Sequence, residues 1–202
     1  DPSPSNFWAI EWWAYQPESR FNYLIWGERK KMPAGTDKGL LDWDQTEGRF
    51  VGLMEELQRA SVAAGHPIRV WVIETNVAQR FLTQFEHYRR WRRAWPDVLV
   101  IKHETQLNKL DPLYGVSILS QRYRAGLKRL PYAAGDLAAR NYLRVKIREL
   151  TTYPFSETND TVMADWMGEF NLPRIVQAAK REIGRIVMPD EKLPPYLRRQ
   201  QH

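Results

Sequence analysis

The stretch Ile68-Arg-Val-Trp-Val-Ile-Glu74 limits what this chain can fold into more than any other. Ile68, Val70, Val72 and Ile73, with Trp71 among them, form a β-branched and aromatic run introduced by Gly65 and Pro67. That pattern predicts a strand buried on both faces. After Asn76 the apolar spacing turns helical, so Glu74 falls where a central strand ends and a helix begins. Open α/β sheets carry their chemistry at such positions. A solvated glutamate at a strand end is the plainer reading of the same residue.

The flanking segments build a mixed order of elements. Phe7-Trp-Ala-Ile-Glu-Trp-Trp-Ala-Tyr15 and Phe21-Asn-Tyr-Leu-Ile-Trp-Gly-Glu28, joined by the turn Gln16-Pro-Glu-Ser-Arg20, predict an antiparallel hairpin with Glu11 facing outward. Residues 29–42 read as a loop, and Phe50, Leu53, Met54, Leu57 and Val62 predict an amphipathic helix over Thr46–Ala64. A second helix, Val77–Trp95, carries Arg89, Arg90, Arg92 and Arg93 in its last turns. That cluster serves either as a complement to the helix dipole or as a phosphate-contacting patch. Pro96 ends the helix, and Asp97–His103 is a further buried strand, which a crossover of this length makes parallel to the one ending at Glu74. His103, Asn108, Lys109 and Asp111, in and before the following polar loop, should then approach Glu74, with His103 either a ligand or a satisfied structural residue.

Farther on, Val116–Arg124 predicts a helix and Gly126–Pro131 a short extended piece. Ala133–Leu150 predicts a third long helix, with Ala139, Leu143, Ile147 and Leu150 inward and Arg140, Arg144 and Arg148 as a stripe that is either a phosphate groove or a solvated face. Thr158 or Asn159 can cap a helix whose Val162, Met163, Trp166, Met167 and Phe170 share one apolar face. Asp160 borders that face, whereas Asp165, about 140° away around the helix, should point to solvent. The reading divides the chain into residues 1–185 as one domain and residues 186–202 as a basic, proline-containing tail, with the chain leaving the core after Phe170.

Charge and composition narrow the chemistry. Over 202 residues, 30 Lys plus Arg stand against 24 Asp plus Glu, a net charge of +6, accompanied by nine Trp and nine Tyr. A polyanion is therefore a natural partner. With no cysteine there is no thiolate metal site and no disulfide, so any metal must be held by oxygen or imidazole. No apolar run approaches the roughly 18 to 20 residues of a membrane span. Asp1, Glu74 and Asp160 are far apart in sequence, yet each is placed to converge on one edge of the sheet. Carboxylates so gathered repel unless cations neutralise them, and a pair of Mg²⁺ or Mn²⁺ ions about 3.5 to 4 Å apart serves phosphodiester hydrolysis with carboxylate ligands alone.

The segments Ile73-Glu-Thr-Asn-Val-Ala-Gln-Arg-Phe-Leu82, His103-Glu-Thr-Gln-Leu-Asn-Lys-Leu-Asp-Pro-Leu-Tyr-Gly-Val116 and Asn159-Asp-Thr-Val-Met-Ala-Asp-Trp166 resemble the nuclease domain of the large terminase subunit of tailed bacteriophages. Asp1-Pro2 resembles that family's first-strand Asp motif, and the likeness runs in the same order to about Phe170. The resemblance implies an RNase H-like α/β fold: a central mixed β-sheet, an antiparallel hairpin followed by parallel strands, flanked by α-helices. It implies a metal-dependent endonuclease that cuts concatemeric viral DNA during packaging, in the cytoplasm of an infected bacterium. The family's catalytic acids fall on Asp1, Glu74 and Asp160, with Asp165 an additional acid. Lys109, Arg89, Arg93, Arg140 and Arg144 would hold double-stranded DNA. The family's ATPase domain, small terminase subunit and portal are the implied partners. No hydrophobic strand precedes Asp1 and no Gly-x-x-x-x-Gly-Lys-Ser/Thr loop occurs, so the ATPase domain is absent from this sequence, and Asp1 is expected to be a cut inside a longer protein. A structure-selective resolvase and a non-catalytic DNA-binding module are the alternatives.

Overall fold

A computed structural model of the chain describes residues 7–31, 39–75, 85–105, 107–111, 113–131 and 137–185. The aromatic runs on either side of Gln16–Arg20 pair as the alternation predicts. β1 (Phe7–Gln16) and β2 (Phe21–Lys31) form an antiparallel hairpin whose register slips by one residue between Trp12 and Trp13. There follow β3 (Asp42–Asp44), β4 (Arg49–Val51), α1 (Leu53–Ala63), β5 (Val70–Glu74), α2 (Glu86–Ala94) and β6 (Leu99–His103). The order is completed by a 3₁₀ turn (Leu107–Leu110), α3 (Ile118–Arg124), β7 (Lys128–Arg129), α4 (Leu137–Thr152) and α5 (Asp160–Arg185).

The fold is mixed α/β. Among the described residues the strands form three ladders, β1-β2-β7, β3-β4 and β5-β6, in place of one central sheet. β7 joins β2 in parallel through Asn22↔Lys128 and Tyr23↔Arg129. β5 and β6 are parallel, with Glu74 opposite His103. Side chains on paired positions share a face and successive ones alternate. Trp71 and Ile73 therefore face one way, into a core with Met54 of α1 and Tyr88 and Trp91 of α2. Val72, Glu74, Ile101 and His103 face the other way, where His103 meets the rings of Trp166 and Phe170 of α5 edge-on, each with centroids 5.2 Å apart. Within β5 only Ile73 is buried, and its other residues are half-buried.

Two elements differ from the sequence reading. The helix expected from Thr46 starts at Leu53, because Arg49–Val51 pairs with Asp42–Asp44 and seats Phe50 against Trp43 at 4.8 Å. Gly52 separates strand from helix with φ 100, a conformation that disfavours any residue with a Cβ. α5 runs on past Phe170 to Arg185 with Pro173 inside it, where a tail was expected. A proline inside a helix removes one hydrogen bond and crowds the carbonyl one turn back, which can kink a helix without ending it. α4 packs on β2 so closely that a Cβ on Gly27 would collide with the Tyr142 ring. The chain separates into two compact units, Asp1–Asn171 and Leu172–His202. No described helix is long and apolar enough to cross a membrane.

Candidate functional site

Glu74 is the last residue of β5 and is half-buried. The next residue, Thr75, donates from both its amide and its hydroxyl to the His103 carbonyl, at 2.7 and 3.3 Å. His103 itself is 4% exposed. Its Nδ1 lies 3.1 Å from the Asn171 side-chain nitrogen, which also donates to the Met167 carbonyl at 2.9 Å. An amide nitrogen only donates, so Nδ1 is the acceptor and the ring is held in one tautomer. The ring contacts and this bond bury His103 beside Glu74.

Asp160 opens α5. Its Oδ2 accepts a hydrogen bond from Arg29 Nε of β2 at 2.9 Å, and the same nitrogen is 3.9 Å from Glu149 Oε1. The cap expected from Thr158 or Asn159 comes instead from Glu149 on α4. Glu149 accepts the Thr161 amide at 2.8 Å, the Thr161 hydroxyl at 2.7 Å and the Thr158 hydroxyl at 2.6 Å. A carboxylate there satisfies an otherwise orphaned helical N–H and complements the dipole.

Asp165 does not point to solvent; it is fully buried, and so is the Glu11 side chain that the strand pattern places outward. Both belong to an ionic network. Lys146 Nζ is 2.6 Å from Glu11 and 2.9 Å from Asp165; Lys128 Nζ is 2.5 Å from Asp165 and 3.5 Å from Glu169; Arg122 Nε is 2.7 Å from Glu169. Tyr123 donates to Asp165 at 2.7 Å, Tyr142 to Glu11, and Trp13 Nε1 to Glu11 at 2.7 Å. Three carboxylates thus meet three cations, so the charges buried here are paired. Burial pushes the Glu11 carboxyl up against the pull of Lys146. At Asp165 burial acts in the same direction, but the Lys146 and Lys128 ammoniums outweigh it and hold the carboxyl below its ordinary range. Burial and the adjacent carboxylates raise both tyrosines.

The basic residues singled out from the sequence lie outside this network. Arg89, Arg90 and Arg93 of α2 are more than half exposed and share Glu86, at 3.9, 3.5 and 2.9 Å, and the Arg90 guanidinium lies 5.9 Å from the Trp43 ring. Arg140 and Arg144 are exposed on α4, and Lys109 is exposed on the 3₁₀ turn. Asp111 organises that loop locally, accepting the Leu113 and Tyr114 amides at 2.7 and 2.8 Å.

Asp1 and the Asn108 side chain lie outside the described residues. Among those described, no group of three or more His, Asp and Glu is arranged to hold a metal. Glu74 and Asp160 are half-buried carboxylates at the ends of their elements. Their oxygen donors suit a hard ion such as Mg²⁺ or Mn²⁺ rather than a soft one. The charged residues missed from the sequence are Arg29, Arg122, Lys128, Lys146, Glu149 and Glu169. The signal for two of them was present: Lys146 and Glu149 interrupt the apolar stripe Leu143, Ile147, Leu150 on α4, where an unpaired charge would be costly. Comparison with family models, with curated proteins and with solved structures finds no match to this chain.

Proposed function

We propose that this chain is the RNase H-like nuclease domain of a terminase large subunit, a divalent-metal-dependent endonuclease that cuts concatemeric viral DNA. One observation carries the reading: Glu74, at the end of a parallel strand, lies on the sheet face against which α5 packs, and α5 begins with Asp160. Residues from two of the three terminase-like segments thereby belong to one strand-and-helix layer. Asp1, Glu74 and Asp160 would hold two Mg²⁺ or Mn²⁺ ions, which when bound would supply the Lewis acidity for adding water across a phosphodiester. Lys109, Arg89, Arg93, Arg140 and Arg144 would grip the flanking phosphates, which position DNA without reading its sequence. The ATPase domain of the same full-length chain, the small subunit, the portal and the host cytoplasm belong to this proposal.

The Arg29 ion pair on Asp160 favours a second reading, a DNA-binding module without catalysis. Incubating supercoiled plasmid with the protein and Mg²⁺ or Mn²⁺ separates the two. Nicking that disappears in EDTA and falls at least a hundredfold in Glu74→Ala and Asp160→Asn supports the nuclease. Cutting that survives both substitutions removes the site assignment, and salt-sensitive binding without cutting selects the module.

A further inference from the structure

We infer that the cleft between the β3–β4 pair and the helices α1 and α2 takes an unpaired nucleotide, whose base stacks on aromatic faces and whose phosphate meets arginines at the rim. Neither a metal ion nor cleavage of DNA is needed for this binding.

The cleft has a volume of about 310 Å³, and its walls include Trp43 of β3, Arg49 and Phe50 of β4, Glu55 and Arg59 of α1 and Trp95 just after α2. That volume is at the lower end of the range for small-ligand sites. The three aromatic side chains belong to half-buried residues. Phe50 and Trp95 pack against the core that holds Met54 and Trp91, and Trp43 stands edge-on to Phe50 with centroids 4.8 Å apart. The rings are therefore backed by packed side chains. Glu55, only 2% exposed, fixes the wall they form. Its Oε2 accepts Trp91 Nε1 at 2.8 Å and Trp95 Nε1 at 2.9 Å, and its Oε1 accepts Arg59 Nε at 2.5 Å. One carboxylate thus orients Trp95, and Arg59 matches its charge, so the floor of the cleft does not turn an anion away.

The charges around the rings select the ligand. The Arg49 and Arg59 side chains are 59% and 62% exposed, and the Arg90 guanidinium lies 5.9 Å from the Trp43 ring. Glu47 and Glu86, the partners of Arg49 and Arg90, are themselves more than half exposed, and pairs of that kind open at little cost. Aromatic walls alone would also suit a cation, but three guanidiniums beside them disfavour one. They favour a flat ring that carries a negative charge, and a nucleotide has both. A base inside a duplex is stacked on its neighbours and has no free face. Walls of this kind therefore act on a base of a single strand, where aromatic stacking and attraction for the backbone combine.

Anisotropy of short fluorescein-labelled strands, measured in EDTA, tests this on the unaltered protein first. Oligothymidylate should bind at least about fivefold more tightly than a strand of the same length and charge that lacks bases, since a single stacked base contributes that much or more. Trp43→Ala should lose the preference, and Trp43→Phe, which keeps a ring, should retain most of it. Arg49→Gln should flatten the plot of log affinity against log salt by about 0.7 for oligothymidylate. Oligouridylate measured beside oligothymidylate identifies the source of the nucleotide: the tighter strand is RNA or DNA, and equal affinity means that the cleft accepts either. Equal affinity of the wild type for strands with and without bases overturns the inference. So does a preference that survives Trp43→Ala in a protein that melts as the wild type does. A salt slope unchanged in Arg49→Gln overturns the phosphate contact at the rim. The wild-type comparison needs no variant, so a substitution that prevents folding does not decide the matter. With no divalent ion present, failure here leaves the nuclease proposal to its own plasmid test.

Discussion

At the residue scale, Asp165 and Glu11 show how the same burial produces opposite titrations. Asp165 faces two ammoniums and is held below its ordinary value of 3.8, so its ionised form favours the fold. That stabilisation is complete above the unfolded value and is lost as pH falls through the depressed folded one. Glu11 has one ammonium and the burial penalty wins, raising it above 4.5; its protonated form favours the fold, an advantage lost as pH rises through the raised value. Asp165→Asn should therefore cost about 3 to 5 kcal/mol at pH 7, because it leaves Lys128 and Lys146 under-compensated in a buried site. Glu11→Gln should cost clearly less. In urea denaturation the gap between wild type and Asp165→Asn should narrow below about pH 4; a gap that is unchanged at pH 3 shows that Asp165 is not the stabilising carboxylate. Lys146 left a signal by interrupting the α4 stripe, but Glu11 and Asp165 were not legible from periodicity, which treats a charged residue off the apolar stripe as solvated. α5 has two contact faces: Trp166 and Phe170 meet His103, while Asp165 and Glu169 meet Lys128 and Lys146. Only the first leaves an apolar pattern.

At the element scale, local signals located most helices and strands, and the errors fall where a partner distant in sequence decides the outcome. The parallel pairing of β5 with β6 followed from the crossover between them, and the β1–β2 hairpin from two aromatic runs and a short turn. Phe50 fits both a helical stripe and a strand, and only Trp43 opposite it settles the matter. The start of α5 is the same kind of case. Thr158 and Asn159 have capping side chains, yet the Thr161 amide is satisfied by Glu149, more than a full turn of chain away on α4. Glu149→Ala should destabilise the protein by roughly 2 to 3 kcal/mol, since it strands a buried amide and two hydroxyls. Thr158→Ala, which removes one donor from the carboxylate, should cost about 1 kcal/mol or less. Equal losses in thermal denaturation of the two variants would return the capping role to Thr158. Because Asp160 is the residue that Glu149 and Arg29 border, the same cap fixes where the proposed metal ligand begins.

For the molecule as a whole, the net charge of +6 becomes useful only through its distribution. The acids of the inner network are matched by Lys128, Lys146 and Arg122, which removes those cations from any external role. Among the described residues, exposed cations that could face a polyanion include those on α2, on α4 and at Lys109. On α2, Glu86 sits among Arg89, Arg90 and Arg93, all exposed, and such pairs contribute little to stability. Glu86→Gln should consequently leave the melting temperature nearly unchanged while removing a negative charge from a face that would meet phosphate. If α2 is the DNA face, duplex affinity measured by fluorescence anisotropy should rise severalfold at low salt, and the plot of log affinity against log salt should steepen. Arg140→Gln together with Arg144→Gln makes the reciprocal test on α4, lowering affinity and flattening that slope by about 1 to 2 if those side chains touch phosphates. A protein indifferent to all three changes would bind DNA elsewhere, and the arginine stripes would be solvated helix faces. A response to one helix alone would say which side of the molecule the duplex approaches, and hence whether it can reach the layer that carries Glu74 and Asp160.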